Sequence, residues 1–371
     1  MIASGLYVHV PFCRSRCGYC AFCSTTRVDD TDRWLAALAL EVESAGGQPD
    51  IFDTLYIGGG TPSFLALEQL ESLFRTLFDN FRFDPHAEIT LEANPADLDH
   101  DTAVLLAGLG VNRVSLGAQS FDDNVLAFLG RRHRTADIGR SCDLLRQAGI
   151  GKLNLDLISA IPGQSPESWR ETMRRAVALE PEHLSCYQLT VEEGTPLVER
   201  VERGDVILVD EDSAAGMFLA GSAFLQQAGF EHYEVSNFAR GRHNRARHNM
   251  KYWAHVPYLG LGPSAHSFDG RFRWWNTDDL DRYRALLESE ESAEEGRELL
   301  TPEQLEMERV ALSLRLADGM EPGGLLSDPD AAAMLDHCIE LRLVTMDNGR
   351  IKPTREGMLM ADGLARELCS L

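Results

Sequence analysis

Four of the eight cysteines in this 371-residue chain fall in the run CRSRCGYCAFC, as Cys13, Cys17, Cys20 and Cys23. Thiolates at C-x3-C-x2-C-x2-C spacing suit metal binding, and three chemistries compete for them. Structural zinc commonly uses paired C-x2-C knuckles separated by a longer loop. No second knuckle follows, because Cys142, Cys186, Cys338 and Cys369 stand alone and read as ordinary thiols. A bacterial ferredoxin run is C-x2-C-x2-C-x3-C-P, which matches neither this spacing nor the missing proline. The third chemistry is an iron-sulfur cluster held by three cysteines of a tight loop, with one iron open to a ligand that is not protein. The flanks favour it: Gly18 lets the backbone wrap closely, and Tyr19 and Phe22 can shield a cluster from water and so tune its potential.

A second signature lies in YIGGGTP, where Gly58, Gly59 and Gly60 close a strand-like run. Without Cβ atoms, their amides can approach a polar ligand and donate to a carboxylate. Taken alone, such a run is also the mark of a tight turn. A third signature is RGRHNRARHNMK, residues 240–251, where Arg240, Arg242, Arg245, Arg247 and Lys251 stand with two histidines and no acid. It reads either as a dock for a small anionic ligand or as a loop whose cations offset nearby carboxylates, and charge alone favours the loop.

The rest of the composition narrows the field. A formal charge of -23 repels nucleic acid and anionic membrane surfaces. No run approaches the roughly 18 apolar residues of a membrane span. The start MIASGLYVHVPFC lacks the basic and long apolar regions of a secretory signal. The expected compartment is therefore a reducing cytoplasm, which disfavours disulfides.

Elements that could position these residues recur over the first part of the chain. β-Branched, apolar runs at 6–10, 54–58, 88–92, 112–117, 153–158 and 183–189 alternate with amphipathic stretches such as DRWLAALALEVESA from Asp32 and ALEQLESLFRTLF from Ala66. That alternation predicts an α/β fold with parallel strands and crossover helices, a partial (β/α)6 barrel of the TIM type. In such barrels chemistry gathers at the C-terminal ends of the strands. The expected division is a core barrel over 1–230, an irregular layer over the barrel mouth with a linker over 231–298, and a smaller unit over 299–371. That last unit reads as winged-helix-like α+β, with a Thr-capped helix from TPEQ and a hairpin at the Asn-Gly of LVTMDNGRIKPT. Residues 301–371 carry 7 Lys and Arg against 13 Asp and Glu, which excludes the usual DNA-binding role of such a module.

C-x3-C-x2-C after a first strand and GGGTP after a second together resemble the radical S-adenosylmethionine (SAM) superfamily. LYVHVPFC, LEANP, GAQSF, GRRH, DLISAIPGQ, EEGTP, HNMKYW and GLGPSAHSF narrow the resemblance to its HemN/HemW branch, over nearly the whole chain. The resemblance implies a [4Fe-4S] cluster on Cys13, Cys17 and Cys20, with Cys23 as a neighbour. It also implies SAM chelated to the open iron and cleaved by an electron from the cluster to a 5′-deoxyadenosyl radical. The SAM contacts it implies fall on Tyr7, Gly59, Gly60, Thr61, Glu92, Gln119, Arg131, Asp156, Gln188 and His266. One departure is DLISAIPG, where relatives usually carry a bulkier residue and Gly; Ser159 and Ala160 alter the pocket there.

The branch holds porphyrinogen-oxidising enzymes, methyltransferases and heme chaperones. The enzymes of the HemN type carry C-x3-C-x2-C-x-C and a long N-terminal extension, whereas this chain has C-x2-C at the end and starts twelve residues before Cys13. HNMKYW resembles the H-N-x-x-Y-W motif of the HemW heme chaperones, and with YEVSNFA it weighs against the methyltransferases. The expected cofactors and cargo are thus the cluster, SAM and heme. His248 is the expected iron ligand, with His243, His255 and His9 as weaker candidates. Tyr252, Trp253 and Tyr258 supply flat surface, and Arg245, Arg247 and Lys251 propionate partners. The partners implied are a heme-acceptor protein and an electron donor for the cluster; a homodimer is compatible with the reading.

Overall fold

The computed structural model describes residues 3–46, 51–327 and 329–369. Six strands, β1 (Ser4–Val10), β2 (Ile51–Gly59), β3 (Arg82–Ala93), β4 (Arg113–Gln119), β5 (Lys152–Ser159) and β6 (His183–Gln188), lie side by side in chain order and parallel. Their register sets Tyr7 opposite Tyr56, Glu92 opposite Ser115 and Asp156 opposite Ser185. Side chains alternate across a strand, so these polar groups share the concave face while Leu6, Val8, Val10, Leu55, Ile57, Leu91 and Leu155 face the helices and are fully buried.

The helices meet that apolar face with stripes of helical period. In Thr31–Ala45 the buried stripe is Trp34, Leu38 and Val42; in Leu67–Asn80 it is Leu70, Leu73, Phe74 and Leu77. Burying each such side chain contributes about 1.5–3 kcal/mol, so the barrel wall is held by its outer layer. The lumen is left free to carry polar groups.

Residues 231–298 differ from the irregular layer expected of them. They extend the sheet at both edges: β7 (Glu231–Glu234) and β8 (Asn237–Ala239) add beyond β6, and β9 (Tyr258–Leu261), β10 (His266–Phe268), β11 (Phe272–Asn276) and β12 (Glu294–Leu299) add beyond β1. β9 runs parallel to β1, and β10 to β12 follow as an antiparallel meander. These strands are three to six residues long, too short for a two-residue period to be read from the sequence.

Between β8 and β9 the helix Arg247–Trp253 closes the barrel at the N-terminal ends of the strands. It is pinned by a buried ion pair, in which Arg113 Nε donates to Glu88 Oε2 at 3.0 Å. The other end of that guanidinium donates to the Asn244 carbonyl, and Glu88 Oε1 accepts from the Arg247 amide. Most cations of the basic stretch are paired within the chain. Arg245 pairs with Glu231 and Asp318, Arg247 with Asp53, and Lys251 with Asp53.

The C-terminal unit comprises helices Pro302–Ser313, Pro329–Glu340, Arg355–Leu359 and Ala361–Cys369 around a hairpin of β13 (Val344–Asp347) and β14 (Arg350–Pro353). Thr301 caps the first helix by accepting from the Gln304 amide. Asn348 and Gly349 both take positive φ at the hairpin turn, as a type I′ turn requires. The unit has its own apolar cluster, including Val310, Leu314, Leu335, Val344, Ile351 and Leu364. It joins the barrel where the Val235 amide donates to the Arg315 carbonyl and the Ala317 amide to the Tyr233 carbonyl. Among the described residues no helix is long and apolar enough to cross a membrane.

Candidate functional site

At the C-terminal ends of β2 to β6 the lumen opens into a cavity of about 550 Å³, within the roughly 300–1,000 Å³ of small-molecule sites. The loop after β1 forms one wall. It leaves the strand as a clasp, with the Thr25 amide donating to the Pro11 carbonyl and the Cys13 amide to the Thr25 carbonyl. Cys13, Cys17 and Cys20 all line the cavity. Cys13 Sγ lies 3.4 Å from Thr61 Oγ1, and an Arg131 guanidinium nitrogen lies 3.7 Å from Cys17 Sγ. Burial raises the thiol pKa of both Cys13 and Cys20, so a bound cation is what would favour their thiolates.

Among the described residues no three His, Cys, Asp or Glu side chains gather around a single ion's position. Cys23 does not line the cavity; its Sγ lies 3.3 Å from the Asp278 carbonyl. Cys142 and Cys338 are buried and Cys186 is half-buried, all as free thiols. The side chain of Cys369 lies outside the described residues.

The floor is acidic and half-buried. Glu92 accepts from Tyr56 Oη at 2.7 Å and from the Gly59 amide at 3.1 Å. Asp156 accepts from Ser115 Oγ and Asn154 Nδ2, each at 2.8 Å. Burial raises both carboxyls, Glu92 to about 7 despite its two donors. Arg131 is held by the Gly117 carbonyl at 2.8 Å, while its buried Nε has no partner. A half-buried guanidinium whose Nε is unpartnered and two half-buried carboxyls around one cavity are groups that a polar, zwitterionic ligand can satisfy.

The glycines act through close approach more than through free amides. The Gly60 amide donates to the Val10 carbonyl and the Gly59 amide to Glu92, so two of the expected ligand donors are already engaged. Gly59 has φ of +106°, and a Cβ there would sit 2.6 Å from the His9 ring. That ring is the link between strand and loop: its Nδ1 meets Tyr7 Oη at 3.0 Å and its Nε2 meets the Cys23 carbonyl at 2.8 Å.

Eight of the ten expected SAM contacts line the cavity: Gly59, Gly60, Thr61, Glu92, Gln119, Arg131, Asp156 and Gln188. Tyr7 and His266 do not. Tyr7 is engaged by His9, and His266 stands on β10, three strands from β2. His248 does not match the expected open iron ligand either. It is 1% exposed, and its ring nitrogens lie 2.8 Å from Thr54 Oγ1 and 2.8 Å from Tyr252 Oη. Burial pushes its pKa down to about 3, with Lys251 adding to the effect.

His243 is exposed, His255 is paired with Glu308, and His9 has both ring nitrogens engaged. Tyr56, Ser115, Arg132 and Tyr187 line the cavity without having been singled out. Tyr56 carried a readable signal, since it stands two residues before Gly58 on the same face of its strand. The DLISAIPG departure falls on a strained point: Ala160 has φ of 56°, a region L-residues other than Asn and Asp rarely enter.

Comparisons with known proteins agree with this geometry. The family model described as Radical SAM superfamily matches residues 7–176. A Mycobacterium tuberculosis (strain H37Rv) protein named heme chaperone HemW is 36% identical, with 98% of this chain and 94% of that one aligned. The Bacillus subtilis (strain 168) heme chaperone HemW is 32% identical over 96% of each chain. Among solved structures, Escherichia coli coproporphyrinogen III oxidase (HemN), titled a radical SAM enzyme, superposes with a TM-score of 0.86 at 25% identity, over 99% of this chain and 90% of that one.

Proposed function

The chain belongs to the HemW family of the radical SAM superfamily, and from that premise we propose that it is a heme chaperone, which takes up heme and passes it to acceptor proteins. The observation that carries the reading is the extent of the likeness to chaperones of that name. It runs at 36% identity over 98% of the chain, through the barrel, the HNMKYW helix and the C-terminal unit alike.

Radical SAM membership implies a [4Fe-4S] cluster and SAM, and the cavity's residues fit both. Cys13, Cys17 and Cys20 would hold the cluster, which with SAM supplies one-electron chemistry at the barrel mouth. Thr61 is within 3.4 Å of Cys13 Sγ and would orient that thiolate. Glu92 and Asp156 would accept from the amine and the ribose hydroxyls. The positive sulfonium of SAM in the same cavity would draw the raised pKa of Glu92 back down. Arg131 would offer its unpartnered Nε to a carboxylate. The Tyr7–His9–Cys23 relay would keep the cluster loop against β1, and an electron donor would complete the working protein.

An oxidase reading shares the fold, because HemN superposes over 99% of the chain. Anaerobically reconstituted protein titrated with hemin separates the readings at the first step. The chaperone reading expects saturable uptake of one heme per folded chain, seen as a Soret band that stops growing at equivalence. Uptake indistinguishable from that of an unrelated acidic protein would reject it.

A further inference from the structure

His248 is enclosed at the barrel base, so a heme iron needs a different imidazole, and the sheet extension presents one. Of the histidines, His9, His183, His232 and His248 are buried with both ring nitrogens within hydrogen-bond distance of a partner. His133 is buried and engaged by the Ala118 carbonyl, and His255 faces Glu308. His86, His100, His243 and His337 are exposed on helices, turns or strand starts, with no aromatic ring recorded against them. His266 differs from all of these. It is exposed on β10, and its ring lies against Trp275 of β11 at 5.8 Å between centroids and 27° between planes.

The surroundings of that ring are built in layers. Trp275 lies flat over Gly296 of β12, where a Cβ would come within 2.3 Å of the indole. Any side chain at 296 would lift the indole and with it the imidazole's backing. Gly260 of β9 brings β10 in closely, since a Cβ there would strike the His266 carbonyl at 2.1 Å. The charged groups facing the ring are Arg273 and Glu298, which pair with each other at 3.1 Å. Burial and Arg273 lower the imidazole pKa, which favours the neutral ring and its lone pair. An exposed neutral imidazole backed by an indole has the chemistry of an axial iron ligand beside a flat apolar surface for a macrocycle.

We propose that His266, backed by Trp275 on the β10–β11 ledge, is the residue through which this chain ligates heme iron. The inference rests on the chaperone reading, and it moves the heme site from the HNMKYW helix to the GLGPSAHSF strand.

The test compares wild-type protein with His266→Ala and His266→Gly, each loaded with its cluster and titrated anaerobically with hemin. Wild type is expected to give the high-spin spectrum of heme ligated by one imidazole, with an iron–histidine stretch in the ferrous form. His266→Ala is expected to lose those bands and to bind hemin at least about tenfold more weakly. In His266→Gly, free imidazole added below the concentration that alters hemin in buffer is expected to restore the wild-type bands, a rescue that a merely structural role would not show. Because the residue is exposed, both variants should keep wild-type circular dichroism and iron content, which are measured alongside. If wild type ligates heme and His266→Ala retains the same bands and affinity, the ledge is overturned while the chaperone reading stands. If wild type takes up no heme, the chaperone reading fails first and the ledge with it.

Discussion

Gly60→Ala should loosen the joint between the glycine strand and the cysteine loop, and its size can be worked from the contacts. A Cβ at Gly60 would sit 2.6 Å from the Phe12 carbonyl oxygen, 2.9 Å from the Phe12 amide and 2.9 Å from the Val10 carbonyl. All three are backbone atoms, so no side chain can swing aside. Overpacking of this kind costs about 1–3 kcal/mol. The same displacement strains two short bonds across the joint, Gly60 amide to Val10 carbonyl at 2.7 Å and Thr61 amide to Phe12 carbonyl at 2.8 Å, each contributing about 1 kcal/mol.

Against this stands about 0.4–1 kcal/mol from reduced unfolded-state freedom, available because φ at Gly60 is not left-handed. The net expectation is a loss of about 2–4 kcal/mol, read as a lower urea midpoint, together with poorer cluster retention because Cys13 and Thr61 flank the moved segment. Gly108→Ala is the control. It closes a helix with nothing within 4 Å of its added methyl, so it should stabilise by about 0.5–1 kcal/mol. If Gly60→Ala unfolds at the wild-type midpoint with a full complement of iron, close approach is not what this glycine supplies.

Cys17→Ala should abolish the iron and sulfide of the reconstituted protein, and Cys23→Ala, whose sulfur faces the Asp278 carbonyl, should spare them; metal analysis of both variants decides this. His248→Ala strands Thr54 Oγ1 and Tyr252 Oη in the buried base, at about 1–3 kcal/mol for each unsatisfied group. The expected result is a lower melting temperature with heme uptake per folded molecule unchanged. Glu234 is buried and its pKa is raised by that burial to about 7. The folded chain therefore keeps a proton that the unfolded chain has lost above about 4.5, and stability falls as pH rises from 4.5 to 7, then levels. The span is up to about 3 kcal/mol at 1.36 kcal/mol per unit. Glu234→Gln should flatten that part of the urea-midpoint profile, and an unaltered profile would refute the assignment.

The legible parts of the molecule are those with period and punctuation. β1 to β6 show short β-branched, apolar-rich runs because every second side chain faces the helices and is buried under the outer layer, and Thr301 and Asn348–Gly349 mark a cap and a turn by residue type alone. The cavity could be read because cysteines and strand-end acids are rare enough in such positions to stand out. β7 to β12 could not, since three to six residues hold too few alternations.

In the basic stretch, charge alone favours a loop whose cations offset carboxylates, and the ion pairs agree, but which carboxylates was not legible. Its partners, Asp53, Glu231 and Asp318, are distant in sequence, and only the fold brings carboxylates to Arg242, Arg245, Arg247 and Lys251. His248 reads as a ligand for the same reason: its type is visible in the sequence, whereas its enclosure by Thr54 and Tyr252 is not. Tyr7 and His266 were carried by resemblance. The register puts one behind His9 and the other on the added meander.

The measurement that bears most directly on the chaperone reading is a multiple-turnover assay with coproporphyrinogen III. It is run on cluster-loaded protein with SAM and a chemical reductant, and on a preparation already shown to saturate with one heme. The account predicts that the porphyrinogen is recovered without decarboxylation, at product levels no higher than with Cys17→Ala. Several equivalents of decarboxylated product per chain, absent in Cys17→Ala, would contradict it and make the bound heme a mark of product affinity.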